Sequence, residues 1–415
     1  MRLKPLKRLR LDSRLQARIK RARVSSGGNP RQTLNFKVIV VLAVGSLLLV
    51  GGGVGAVWFV FKSPKNIPGE SFSPPRFTQP YLVKGVYLPA EAAGRKTKVY
   101  TTLELLRATE LNAVVLDIKD STGLVSYQSR VPRAQEIGSS SDRISDIRDL
   151  ILQFHEANVY VIGRIVVFQD SVLAEAHPEL GVKSKKTGKL WRDRKGIAWI
   201  DPSAQAVWVY NAELAQEAAH LGFDEINFDY VRFPSDGVLS DMKFPLSTNP
   251  NTPKYEVMRQ FFEYLDMRLR TQSQPSIPIS VDIFGMTFWR GGEDDLNIGQ
   301  RLEDAVKHFD YIQPMLYPSH FPSTFEGFKN PAEHPFEIVE RSLAQKKELF
   351  SLSTSKMRPW LQDFDLGAEY TKELVLAQAK AAQEQGAFGW TFWNAGGTYT
   401  KEAFAVDPSV ALPSW

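Results

Sequence analysis

Eight short runs rich in β-branched and aromatic residues, most of them separated by amphipathic helical stretches, constrain the fold of this 415-residue chain more than any other feature. They are YLVKGVYL (81–88), AVVLDIKD (113–120), VYVIGRIVVF (159–168), EINFDYV (225–231), IPISVDIFG (277–285), YIQPMLYP (311–318), MRPWLQDF (357–364) and AFGWTFWN (387–394). Between them lie patterns such as KVYTTLELLRATE, AVWVYNAELAQEAAHLG, YEVMRQFFEYLDMRLR and TKELVLAQAKAAQEQG. Eight strands alternating with helices predict an α/β fold, a (β/α)8 TIM barrel over residues 81–405. A doubly wound open sheet is the competing arrangement, but no glycine-rich phosphate loop follows the first run.

Alternate residues of a barrel strand face the lumen, so the runs also locate a site. In the fourth, Ile226, Phe228 and Tyr230 share one face and leave Asn227 and Asp229 on the other. In the fifth, Ile279, Val281 and Ile283 leave Ser280 and Asp282 opposite. The same parity turns Asp117, Lys119, Arg164, Gln313, Tyr317 and Trp393 inward. All lie toward the carboxyl ends of their strands, where barrel enzymes build their sites.

Each candidate has a structural reading beside the functional one. Asp117, Lys119 and Arg164 are expected to form a buried ion network that closes the barrel. Asp229 and Asp282 have no obligatory basic partner in their own segments, although Arg232 is near enough in sequence to pair with Asp229. They are the expected catalytic pair. Asp201, in DPSAQAVW, reads as a helix cap with Pro202 at the first helical position. Trp289 and Trp393 suit either sugar stacking or the core. The chain has no cysteine, which excludes disulfides and thiolate chemistry. Its six histidines show no metal-ligand spacing, and there is no G-x-S-x-G elbow, so no metal or cofactor is expected.

The segment GFDEINFDYVRFPSDG (222–237), with VKGVYLPAEAAG, LDIKDSTGLV, IGRIVVFQD, DIFGMTFW, QPMLYPSH and GWTFWNAGG, resembles the glycoside-hydrolase-like domain family catalogued as a domain of unknown function. More distantly it is similar to glycosyl-hydrolase-like barrels whose fourth strand reads DGIHFDDYFYP. The resemblance covers about residues 83–400 and implies a glycosidase-superfamily barrel, a polysaccharide substrate and Asp229 as the fourth-strand acid. Family 18 chitinases carry DGIDIDWE at this strand, but the position of their catalytic glutamate is Val231 here. Valine cannot donate a proton. The reading is therefore hydrolysis by two carboxyl groups, Asp229 as nucleophile or base and Asp282 as acid. Asp120 is the reserve acid, and Lys119, Arg164, Arg232, Gln313, Tyr317 and Trp393 are expected to hold substrate. A non-catalytic glycan-binding or envelope-scaffold protein is the alternative, supported by the loss at Val231 and the shortage of glutamate at strand ends.

Ahead of the barrel, residues 1–37 carry twelve Lys or Arg against Asp12, which leaves the remainder near −6 although the whole chain is +5. Bulk charge therefore gives no argument for nucleic acid. Residues 38–61, VIVVLAVGSLLLVGGGVGAVWFVF, hold no charge. At about 1.5 Å per residue they span about 36 Å as a helix, enough for a hydrocarbon core of about 30 Å. A transmembrane helix is expected, with residues 1–37 as a basic cytoplasmic tail, residues 62–80 as a proline-rich linker and the barrel outside the cytoplasm. A reporter fused after residue 70 is expected to be active outside the cytoplasm, and protease is expected to reach the barrel in spheroplasts. Protection of the barrel there overturns this topology.

Overall fold

The computed structural model describes residues 79–405 other than 248, 250 and 272–275. The basic tail, the apolar run and the linker up to residue 78 lie outside the described residues. Among the described residues no helix is long and apolar enough to cross a membrane.

All eight runs form strands: β1 Val83–Leu88, β2 Ala113–Lys119, β3 Tyr160–Val166, β4 Glu225–Asp229, β5 Ile279–Phe284, β6 Tyr311–Met315, β7 Trp360–Gln362 and β8 Gly389–Trp393. Every neighbouring pair is parallel, β8 returns to β1, and Trp360 against Met315 joins β7 to β6. The sheet closes into a (β/α)8 barrel.

The helices that follow the strands around the barrel include α1 Lys96–Arg107, α2 Ile147–Glu156, α3 Gln205–Leu221, α4 Lys254–Asp266, α5 Leu302–Ala305, α6 Pro335–Ala344 and α7 Lys372–Glu384, with shorter helical segments in the connections. Their apolar positions explain the packing: α2 buries Ile147, Leu150, Ile151 and Phe154, the spacing of one helical face, and Asp146 caps its start. Helix α3 stops at Gly222, whose φ of 112° belongs to the left-handed region and swings the chain into β4. After β8 the described residues hold only a single 3-10 turn, Lys401–Ala403.

Two apolar regions result. The larger lies between strands and helices, and a smaller one fills the lumen with Val83, Tyr87, Ala113, Val115, Tyr160 and Ile162. Below that plug, Arg358 and Glu225 form a fully buried ion pair, with the guanidinium over the Tyr311 ring at 4.3 Å. The lumen is thus sealed at its amino end and leaves only the carboxyl end to work with.

There the long connections after β3 and β4 are tied together. Ser184 pairs with Met242 in a two-stranded antiparallel ribbon, and Trp191 Nε1 donates to the Val238 carbonyl at 3.1 Å. Asp201 belongs to this tie and does not cap α3, whose N-cap is Ala204. Its Oδ1 accepts from the Ser203 amide at 2.9 Å and its Oδ2 from the Leu246 amide at 2.8 Å. A carboxylate that short satisfies the nearest orphan amides, and here they lie in the loops. Asp201→Ala strands both amides in a part-buried setting, so a loss of about 2–3 kcal/mol is expected, larger than a cap would give. Chemical denaturation checks the value. A loss of only about 1 kcal/mol restores the helix-cap reading.

Candidate active site

Arg164 stands at the centre of the carboxyl-end cup. Its Nη1 donates to Asp117 Oδ1 at 2.7 Å, while Nε and Nη2 donate to Asp229 Oδ2 at 3.1 and 2.6 Å. All three side chains are buried. Burial works against the guanidinium's charge, but Asp229 and Asp117 outweigh it and hold its pKa well above the usual value. Asp117 also accepts from the Tyr87 hydroxyl at 2.6 Å. Its carboxyl is nevertheless pushed up by burial, against the pull of Arg164 and Tyr87.

Asp229 ends β4, and its Oδ1 accepts from the next amide, Tyr230, at 2.6 Å. Tyr230 has φ of 52°, a left-handed conformation that costs a non-glycine residue on the order of 1–3 kcal/mol. The chain turns there at once, so the carboxylate stands at the strand's last position.

Asp282 occupies the neighbouring strand and has a different setting. Its Oδ1 accepts from Asn227 Nδ2 at 2.8 Å and Trp360 Nε1 at 2.7 Å, and its Oδ2 has no hydrogen-bond partner among the described residues. Burial first, then the charge of Asp229, drive its pKa well above the ordinary carboxylate range, against the pull of Asn227, Arg164 and Trp360.

Both carboxyls open into a cavity of about 530 Å³. One wall is aromatic: Trp393 stacks on Tyr87 at 4.0 Å and 10°, and meets Trp360 edge-on at 5.6 Å. Tyr317 adds a phenol whose pKa is raised by burial and by Asp282 and Asp229, which keeps its hydroxyl a donor. Arg232 and Lys195 also line the cavity, the latter from the loop after β3.

With this geometry in view, residues 85–399 match the family described as "Putative glycosyl hydrolase domain". The chain belongs to this family. No curated protein matches it. A hypothetical protein from Ruminiclostridium thermocellum is 37% identical over 48% of this chain and 96% of its own, with a TM-score of 0.42. The PgaB (BpsB) glycoside hydrolase domain from Bordetella bronchiseptica is 14% identical over 76% of this chain and 95% of its own. Its TM-score is 0.56, a likeness of fold. A family 20 exo-β-N-acetylglucosaminidase from Vibrio harveyi gives 0.49 at 12% identity, over 80% of this chain and 55% of its own.

In this member of the glycosyl hydrolase domain family, Asp229, Asp282, Arg164, Arg232, Tyr317 and Trp393 come together as the sequence predicts. Three residues do not join them. Lys119 follows a β-bulge, because the pairing of β2 with β3 slips between Asp117 and Lys119. One extra residue reverses the parity. Lys119 therefore points out of the lumen to Asp170 at 2.7 Å, with the Tyr210 ring 5.1 Å away, and both charges are fully buried. Asp120 turns into the loop, where it accepts from Thr122 and pairs with Arg143. Gln313 is inside the barrel, but its Nε2 donates to Ser280 Oγ at 2.9 Å and it forms no part of the cavity wall. Trp289 likewise serves packing, donating to Ser342 Oγ at 3.0 Å.

The sequence reading missed Trp360, His320 and Lys195 on the wall, and it put Tyr230 on the face of Ile226 and Phe228, whereas the left-handed turn at Tyr230 ends the alternation and brings it to the cavity. Trp360 was within reach, since strand alternation that turns Leu361 toward the helices turns Trp360 into the lumen. Lys195 and His320 come from loops, where no periodicity applies.

The two carboxyls are expected to separate in stability measurements. Asp229→Asn removes the charge that Arg164 grips through two donors and should cost about 2 kcal/mol. The folded state holds the Asp282 proton more tightly than the unfolded chain, so this contribution is intact at low pH and lost as pH rises toward the raised pKa. Asp282→Asn keeps an acceptor for Trp360 and removes that loss. Its Tm should therefore fall less than wild type as pH rises above the ordinary carboxylate range. Parallel pH profiles for the two chains would sink this assignment.

Proposed function

We propose that the chain hydrolyses a glycosidic bond in this cavity, with Asp282 as general acid and Asp229 as nucleophile or base. The observation that carries the proposal is the opposed environment of two neighbouring carboxyls. Asp282 is buried beside a negative charge and pushed toward its protonated form, whereas Asp229 is ion-paired with Arg164. Glycoside hydrolysis needs one proton donor and one electron-rich oxygen across the scissile bond. The Tyr87–Trp393 stack and Trp360 suit the apolar face of a sugar ring, and the Tyr317 hydroxyl suits a ring hydroxyl. Family membership and the barrel support the same reading.

The address is part of the proposal. Residues 38–61 span a membrane with the basic tail in the cytoplasm, and the barrel acts on an extracytoplasmic polysaccharide of the cell envelope. The uncharged run and the excess of Lys and Arg before it support this placement.

Asp282→Asn and Asp229→Asn are each expected to lower kcat by about 10²–10⁴-fold on a cleaved glycan, with KM changed much less. For the wild type, kcat should fall as pH rises through the raised pKa of Asp282, and Asp282→Asn should lose that limb of the profile. Release of reducing ends from envelope glycans is the readout. Full activity in Asp229→Asn would refute the assignment, and a wild type that binds glycan without cleaving it favours the glycan-binding scaffold.

A further inference from the structure

The two arginines of the cavity are treated differently by their surroundings. Arg164 lies between two carboxylates. Arg232, only 8% exposed, makes no ion pair among the described residues. Its Nη1 donates to the Phe233 carbonyl and to Ser235 Oγ, both at 3.1 Å. Its guanidinium packs on the rings of Phe284 at 4.7 Å, Trp199 at 4.9 Å and Tyr230 at 5.0 Å. The Nε and Nη2 donors have no hydrogen-bond partner among the described residues, and the side chain forms part of the cavity wall.

The acids whose charge reaches Arg232 are Asp229, Asp236 and Asp193. Two are already engaged. Asp229 is held by Arg164 and the Tyr230 amide, and Asp193 accepts from Gln169, from Trp199 Nε1 and from the amides of Lys195 and Ile197. Asp236 is not on the cavity wall. Lys195, exposed on the same cavity, also makes no ion pair among the described residues. Burying a cation without a counter-charge is costly, and three aromatic rings return only part of that cost.

We propose that this wall is a subsite for a carboxylate carried by the glycan, as on a uronic acid or a lactyl-bearing sugar. The free edge of Arg232 supplies two parallel donors that match the two oxygens of a carboxylate, and Lys195 adds charge from the rim. The inference rests on the cavity being a glycan site, and it names the class of glycan.

The test uses the full chain carrying Asp282→Asn, which is silenced for cleavage and neutral at that position. Binding is measured to immobilised glycans in matched pairs that differ by a carboxylate: β-glucan against glucuronan, and chitin oligomers against peptidoglycan glycan strands stripped of their peptides, which leaves the lactyl carboxylate free. The acidic member of at least one pair is expected to bind about tenfold more tightly at low salt, and Arg232→Met should remove that advantage. Arg232→Lys should keep part of it, and Lys195→Met should lower it about threefold. Because Lys195 is exposed, its variant decides the matter should Arg232→Met fail to fold. Neutral members bound as tightly, no glycan retained in either arm, or an acidic advantage that survives the Arg232 and Lys195 changes would each overturn the subsite. Cleavage of a neutral glycan without acidic preference sinks the subsite and leaves hydrolysis standing. Acidic binding without cleavage by the wild type does the reverse.

Discussion

The guanidinium of Arg164, shared between Asp117 and Asp229, is the interaction on which the carboxyl end of the barrel depends. It joins β2, β3 and β4 through side chains that the closed sheet has already turned inward. Remove it, and two buried carboxylates face one another without a counter-charge, an arrangement a sealed lumen does not tolerate. The Tyr87 hydroxyl on Asp117 and the ring of Trp393, 5.2 Å from the guanidinium, extend the same unit to β1 and β8. Five of the barrel's eight strands are thereby organised around one cation.

That cation also sets the chemistry by being one-sided. Arg164 grips Asp229, while Asp282, one strand further on, receives only neutral donors from Asn227 and Trp360. Two carboxyls of the same residue type consequently differ through their neighbours alone. The negative charge of Asp229, fixed by Arg164, in turn helps to hold the proton on Asp282. The pair is a single electrostatic arrangement more than two independent groups.

How much of this was legible in the sequence follows from where periodicity operates. Within strands the two-residue repeat placed Asp117, Arg164, Asn227, Asp229 and Asp282 in the lumen correctly, because a closed parallel barrel forces that alternation. It failed at Lys119, where a bulge that no residue pattern announces reversed the faces. It was right about the inward face of Gln313 yet silent on depth, and depth separates a cavity wall from a buried layer. Asp201 deceived because DPS is an equally good start for a helix or a turn, and the Leu246 amide that decides between them lies 45 residues away. Contributions from loops, Lys195 and His320 among them, depend on tertiary ties such as the Ser184–Met242 pairing, which local sequence does not encode.

The left-handed turn at Tyr230 has a consequence for substitution. It sends the next residue, Val231, into the apolar layer between strands and helices, where it is fully buried among core side chains. A glutamate substituted at that position would enter hydrocarbon and stay out of the cavity. Replacing Val231 alone therefore does not place a carboxyl in the cavity, because the path of the backbone after Asp229 turns that position away. The loops that carry Lys195 and Arg232 can change without touching this layer, whereas the side on which the chain leaves Asp229 is fixed by the backbone itself.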